Sequence, residues 1–275
     1  MTEPVLLYEV KNEIAYITLN RPDKLNTFNN ELVYTLKDTW DRFEQDPEAK
    51  VAILSGSGKA FSAGVDVTDA KSYPSVGDKT TSDKEHLKYN YLETYSESHQ
   101  AYPANGITIF KPIVGAVHGY VLGLGYNLAI KCCDITIAAD NAIFGFPEPK
   151  IGTPIYPMEY LPYLPFKISM QLMLLTWKGG RMINAQRAHA LGLVNEVVPH
   201  EKLMEEATTW AEMFKIVPPL YIKAIKYGHY KATEDRLKVN EREYFKYILP
   251  QVISEDRQEG LRAFTEKREP KFHGK

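Results

Sequence analysis

An α/β fold assembled from strand–turn–helix units is predicted by three observations. Short runs rich in β-branched and aliphatic residues recur at Val51–Leu54, Ile113–Val117 and Ile135–Ala138, with helix-patterned stretches between them. Two of these runs lead into glycine turns, Ala60–Asp66 (AFSAGVD) and Gly119–Gly125. From Glu201 onward the pattern is mostly helical. This alternation suits a stack of βα-type turns rather than an antiparallel sandwich.

Taken in order, Tyr8–Val10 and Ile14–Leu19 read as strands joined by a short turn at Lys11–Glu13. Asn29–Phe43 places Leu32, Leu36, Trp40 and Phe43 at helical spacing. The third strand run, Val51–Leu54, passes through the loop Ser55-Gly56-Ser57-Gly58 into AFSAGVD. Residues Thr68–Gly106 are the least regular stretch, polar and rich in tyrosine (Tyr73, Tyr89, Tyr91, Tyr95, Tyr102). The segment Lys111–Asn127, KPIVGAVHGYVLGLGYN, is a strand followed by Gly119, Gly123 and Gly125 and then an apolar helix. Pro218-Pro219 marks a helix start, because proline is tolerated in a first turn. Ser254–Lys267 reads as a final amphipathic helix. Two regions follow, a core over 1–198 and a helical region over 199–275.

Composition narrows the classes. At 275 residues the chain can bury a substantial core, and 44% apolar with 25% charged residues is ordinary for a globular protein. A formal net charge of −2 offers no long-range attraction for nucleic acid. Cys132 and Cys133 are adjacent, a poor arrangement for a structural bridge, so a reduced compartment and a cytoplasmic location are expected. No uninterrupted apolar run of membrane length is present. The histidines lack ligand spacing, so no metal is expected, and His118 before Gly119 reads as a hydrogen-bonded turn residue. Phosphate-loop and dinucleotide fingerprints are absent.

The chemistry is carried by the backbone. Glycines at a helix start let the chain turn tightly and leave main-chain N–H groups uncovered, a site for negative charge including a transient oxyanion. Two such turns can aim one N–H each at a single carbonyl oxygen.

These pieces, with Asn20-Arg21-Pro22, Asn26, Cys133–Ile135, Phe144–Gly152 (FGFPEPKIG), Ala190–Pro199 (ALGLVNEVVP) and Phe264–Phe272 (FTEKREPKF), occur in one order along the chain. That set resembles the crotonase (enoyl-CoA hydratase/isomerase) superfamily nearly end to end. The resemblance implies a ββα spiral core and a C-terminal helical region that builds trimers, often paired into hexamers. It implies an acyl-CoA thioester as substrate, with coenzyme A part of that substrate rather than a separate cofactor.

By resemblance, the N–H groups of Val65 and Leu124 stabilise the thioester enolate, with loss of one such donor costing about 3–4 kcal/mol. Glu148 matches the family's later catalytic glutamate. Among Phe144, Phe146 and Pro147 its carboxyl should be desolvated, which raises its pKa; the plain alternative is a loop glutamate paired with Lys150. The position of the family's earlier glutamate falls on Asn127 when counted from the glycines, and on Leu128 when counted back from Cys133-Asp134-Ile135. The interval is one residue long, which a local bulge in the helix would absorb, and the same shift would make Gly125 the donor instead of Leu124.

A lone carboxylate suits a double-bond isomerase that moves a proton from C2 to C4, and this is the leading sequence-based expectation. Single-glutamate hydration or hydratase-lyase chemistry, thioester hydrolysis, and a non-catalytic partner- or RNA-binding member are the alternatives. Tyr156 stands where dienoyl isomerases carry a further acid, and Glu159 is an outside candidate for a replacement. Coenzyme A is expected along Arg21, Lys24 and Leu25, along Phe61, Ala63 and Val65, and near Gly123, with Lys24 and Lys267 as phosphate partners. The tyrosine-rich stretch is either a surface helix or a lid over the acyl pocket.

Overall fold

A computed structural model describes residues 3–68, 109–152, 165–174, 182–229 and 250–274. The tyrosine-rich stretch from 69 to 106, and Tyr156 and Glu159, lie outside the described residues. Contacts divide the chain into two units. One comprises Met1–Asp66, Glu97–Phe144 and Ile183–Tyr230, the other Val67–Ser96, Gly145–Met182 and Lys231–Lys275.

The first unit is built on a six-stranded sheet. Its strands are β1 (Leu6–Lys11), β2 (Ile14–Leu19), β3 (Val51–Gly56), β4 (Ile113–Val117), β6 (Ile135–Ala139) and β9 (Glu196–Val198), side by side in that order. A smaller sheet joins β5 (Tyr120–Leu122), β7 (Ile143–Gly145) and β8 (Ile183–Asn184). β1 and β2 form an antiparallel hairpin, and every later neighbour in the large sheet is parallel. The hairpin closes over Asn12 and Glu13, which both take positive φ (52° and 65°), the geometry that matches strand twist in a two-residue loop.

Helix α1 (Asn30–Gln45) is two residues longer at its C-terminus than the sequence pattern marks. Its start is set by Asn29, whose side chain accepts the Leu32 N–H at 3.0 Å, and it buries Leu32, Leu36, Trp40 and Phe43 as their spacing predicts. A second helix packs on the large sheet. In it Leu203, Ala207 and Ala211, one face of Leu203–Ile216, join Ile14, Val51, Ile53, Val114, Ala116, Ile137 and Ala139 in one apolar cluster. This helix belongs to the sheet unit although it lies beyond residue 198. The helix spanning 219–229 follows Pro218 and sends the buried Lys226 into the sheet, where its ammonium donates to Lys111 O (2.9 Å) and Asp134 Oδ2 (2.8 Å). The same Asp134 oxygen accepts the Ile113 N–H at 2.8 Å.

Within the second unit, a 3-10 turn (Glu148–Ile151), the helix Phe166–Leu174 and the helix Glu255–Thr265 are described. Ser254 caps the last of these by accepting the Arg257 N–H at 3.0 Å, where the sequence pattern starts the helix.

Candidate active site

The two glycine turns are laced together. Ser62 donates its N–H to Tyr120 O (2.9 Å) and accepts the Leu122 N–H (3.0 Å), a parallel bridge to Val121. Two residues on, Phe28 donates to Gly64 O (2.8 Å) and accepts the Asp66 N–H (2.9 Å). A parallel bridge of this kind uses the groups flanking Val65, so Val65's own N–H points to the opposite side of the strand. Gly64, at φ +93°, lies against the other turn: a Cβ there would stand 3.0 Å from Leu122 O and 3.5 Å from Leu124 N. Leu124 is the first residue of helix α2 (Leu124–Asn127), after Gly123 at φ 50° with no side-chain cap, so its N–H faces out of the helix start. The amide of Leu124 and the peptide preceding Val65 are thus neighbours, though their sequence positions are far apart.

What holds them is a set of side chains that the sequence singles out only through resemblance, or not at all. Asn26 is fully buried at φ 53°; its Oδ1 accepts the Arg21 N–H (2.7 Å), and its Nδ2 donates to Ser57 O and Ala60 O (both 2.8 Å). The Ser62 hydroxyl donates to Asn26 O (2.8 Å) and accepts the Gly64 N–H (3.1 Å), fixing the Ala63–Gly64 peptide, the one before the Gly64–Val65 peptide. An asparagine shortly after a proline turn is the one local signal, since asparagine tolerates the left-handed region better than most residues.

Residues expected along coenzyme A fall into two groups. The Arg21 guanidinium is committed to the protein, donating to Thr27 O and pairing with Asp66 at 3.0 Å, so its side chain braces the AFSAGVD turn. Phe61 is buried with its N–H on His118 O (2.8 Å), and the Ala63 N–H is on Leu25 O (2.9 Å). Lys24 and Lys267 are exposed. His118 holds Gly58 O at 3.0 Å through Nε2, stacks on His200 at 4.9 Å, and has its pKa lowered chiefly by burial. It is a turn residue.

Past α2 the helix widens. Leu128–Cys132 is a π-helical stretch, which accommodates the extra residue downstream of Asn127. The register counted from the glycines therefore runs unbroken through Asn127, which is half-buried, whereas Leu128 is fully buried in the core. Carbonyls freed by the wide turn find side-chain donors: Thr136 Oγ1 on Ala129 O (2.7 Å) and Cys133 Sγ on Leu128 O (3.6 Å). Gly125 is the close-packing glycine of the turn, since a Cβ there would lie 2.7 Å from Ser62 Cβ. Tyr126, fully buried, sets its ring edge-on to Phe144 at 6.4 Å.

Glu148 begins the 3-10 turn after the buried Phe146 and the half-buried Pro147. The residue as a whole is half-buried, but Oε2 is shut off from solvent and has no hydrogen-bond partner among the described residues. Burial lifts its pKa from 4.5 to about 7, opposed only by its own backbone N–H. No charge from Lys150 contributes to that shift. A carboxyl of this kind can both release and accept a proton near neutrality.

The fold and these residues define an acyl-CoA enzyme, and comparison with known proteins agrees. The family model for enoyl-CoA hydratase/isomerase matches residues 9–275. The (E)-benzylidenesuccinyl-CoA hydratase of Thauera aromatica is 34% identical, covering 98% of this chain and 99% of that protein. The 2,3-dehydroadipyl-CoA hydratase of Escherichia coli is 28% identical over 98% of this chain and 99% of its own length. Among solved structures, carnitinyl-CoA hydratase from Mycobacterium avium superposes with a TM-score of 0.78 at 30% identity, covering both chains fully (100%). The chain belongs to the enoyl-CoA hydratase/isomerase family of the crotonase superfamily.

Proposed function

We propose that this protein hydrates a 2-enoyl-CoA, with Glu148 as the sole carboxylic acid/base and the N–H groups of Val65 and Leu124 holding the thioester oxygen. The observation that carries the reading is the Glu148 carboxyl, with Oε2 shut off from solvent and unpartnered among the described residues and a pKa lifted by burial to about 7. Water adds its oxygen to C3 while Glu148 takes the water's proton; the same carboxyl then delivers a proton to C2 as the enolate collapses. Charge gathered on the thioester oxygen during addition is met by the two main-chain donors. Asn127, one turn into the helix, orients the water through its amide. The names of the hydratase relatives at 28–34% identity support hydration over isomerisation.

Double-bond isomerisation is the second reading, favoured by Asn127 standing where a second glutamate would help activate water. Turnover of matched 2-enoyl- and 3-enoyl-CoA esters in deuterated water separates the two. Hydroxyl uptake at C3 with deuterium at C2 supports hydration; deuterium at C4 without hydroxyl uptake replaces it with isomerisation. Coenzyme A runs past Lys24 and Lys267, which meet its phosphates as point charges. The two buried thiols, Cys132 and Cys133, suit a reduced setting, the cytoplasm in this reading. Assembly as a homotrimer or homohexamer is supported by exposed apolar side chains on the later helices (Ile216, Leu220, Tyr221, Ile225), and sedimentation equilibrium tests it.

A further inference from the structure

We propose that Gly152 and Gly260 are positioning residues for the Glu148 carboxyl, and that the C-terminal tail locks the helix on which that carboxyl's turn is seated. This rests on the acid/base reading of Glu148.

The turn and the helix Glu255–Thr265 meet backbone to backbone. A Cβ on Gly260 would stand 2.6 Å from Gly152 N and from Ile151 O, and closer still to the Ile151 carbonyl carbon. Reciprocally, Gly152, at φ +62°, would drive a Cβ to 2.7 Å from Asp256 O and 2.8 Å from Arg257 Cα. Side chains never approach backbone that closely, so only glycine at both positions allows the seat. Gly152 also closes the 3-10 turn, its N–H on Pro149 O at 3.2 Å. Glu148 opens that turn, so a shift at residue 152 is passed to Glu148 through one tight loop.

The helix is itself pinned by the chain end. Arg268 grips the Glu259 carboxylate with both Nη atoms (2.5 and 2.9 Å), and the Lys271 N–H joins at 2.9 Å. Asp256 accepts the His273 and Gly274 N–H groups at 2.6 and 2.7 Å. One residue thus serves both partners: the Asp256 carbonyl lies against Gly152 while its carboxylate holds the tail. Among the described residues, the turn carries Lys150 and the helix carries Glu255, Asp256, Arg257, Glu259 and Arg262. None contributes to the Glu148 shift, which is burial alone set against its own N–H. The seat therefore governs proton transfer by geometry, by keeping the carboxyl out of water.

The test is Gly260→Ala, read by kcat, KM and the pH profile of kcat. The expected result is a roughly ten- to hundredfold fall in kcat with KM nearly unchanged, since a small misplacement of a reacting group is enough for such a loss. The limb near pH 7 should move toward the ordinary glutamate value of 4.5 as the carboxyl gains water. Arg268→Ala, which releases the tail without entering the packed contact, should move the limb the same way by less. A folded Gly260→Ala protein with its limb and kcat unchanged overturns the inference. Should Gly260→Ala fail to fold, an unmoved limb in Arg268→Ala overturns it instead. If Glu148→Gln keeps full turnover, or the wild type shows no limb near 7, the acid/base reading itself falls and this inference with it.

Discussion

Replacing the Glu148 carboxyl by an amide of the same shape should strengthen the protein at neutral pH while stopping its chemistry. Its Oε2 is shut off from solvent with no partner among the described residues, and burial holds the pKa at about 7 against an ordinary 4.5. At 1.36 kcal/mol per unit, the fold disfavours ionisation by about 3 kcal/mol. The sign follows from linkage: a carboxyl raised in the folded state contributes fully below the unfolded value of 4.5, and its contribution is lost as pH rises to about 7. The wild type should therefore weaken relative to Glu148→Gln across that window, and the gap should stay level at higher pH. Burying the extra amide N–H has its own cost, but that cost does not vary with pH, so the slope of the difference is the quantity to read. Urea unfolding at fixed protein concentration, at steps from pH 4.5 to 8, measures it. Turnover of the variant should fall by at least about a hundredfold with CoA-ester affinity nearly intact. Parallel stability curves for the two proteins across the window would refute the burial argument, whatever the loss in turnover.

Ser62→Ala leaves Gly64 N–H and Asn26 O without their shared partner. It should cost about 1–3 kcal/mol in stability and lower kcat/KM about tenfold, with kcat carrying most of the change; an unchanged kcat would separate this hydroxyl from the Val65 donor. Lys226→Met strands the Asp134 carboxylate beside the Ile113 N–H. Asp134 is exposed and keeps the Ile113 N–H, so a loss of about 1–2 kcal/mol in denaturant unfolding is expected, with KM unmoved, and no loss would mean the pair is only incidental. Asn127→Ala should slow hydration of a 2-enoyl-CoA about tenfold more than any isomerase activity on a 3-enoyl-CoA. Equal losses on the two substrates would assign Asn127 to packing.

Local physical chemistry made much of the architecture legible from the chain alone. Alternating and continuous apolar runs mark β2, β3, β4 and β6 because the side chains of a strand are committed to a face by position. Asn29 and Ser254 announce helix starts because their side chains satisfy N–H groups a few residues on. A single surplus residue before Cys133 foretold a widened helix, and Leu128–Cys132 is π-helical. The apolar neighbours of Glu148 anticipated a raised pKa, because burial acts through whatever surrounds the group.

Long-range pairings were not legible in the same way. Nothing local says that Arg21 meets Asp66, 45 residues on, or that Lys226 meets Asp134, 92 residues away. The seat between Gly152 and Gly260 is likewise invisible as two ordinary glycines. The sequence by itself determined which segments are strands and helices, where glycine turns break them, and which family the chain resembles, since those depend on neighbours within a few residues. Only the tertiary structure decided that Arg21 braces a loop, that Ser62 holds the Gly64 N–H one peptide ahead of Val65's own, and that the C-terminal helix carries the Glu148 turn. The reason is physical: a side chain's role depends on the partner that folding brings within about 3 Å, and hydrogen-bond geometry sets that limit, not sequence spacing.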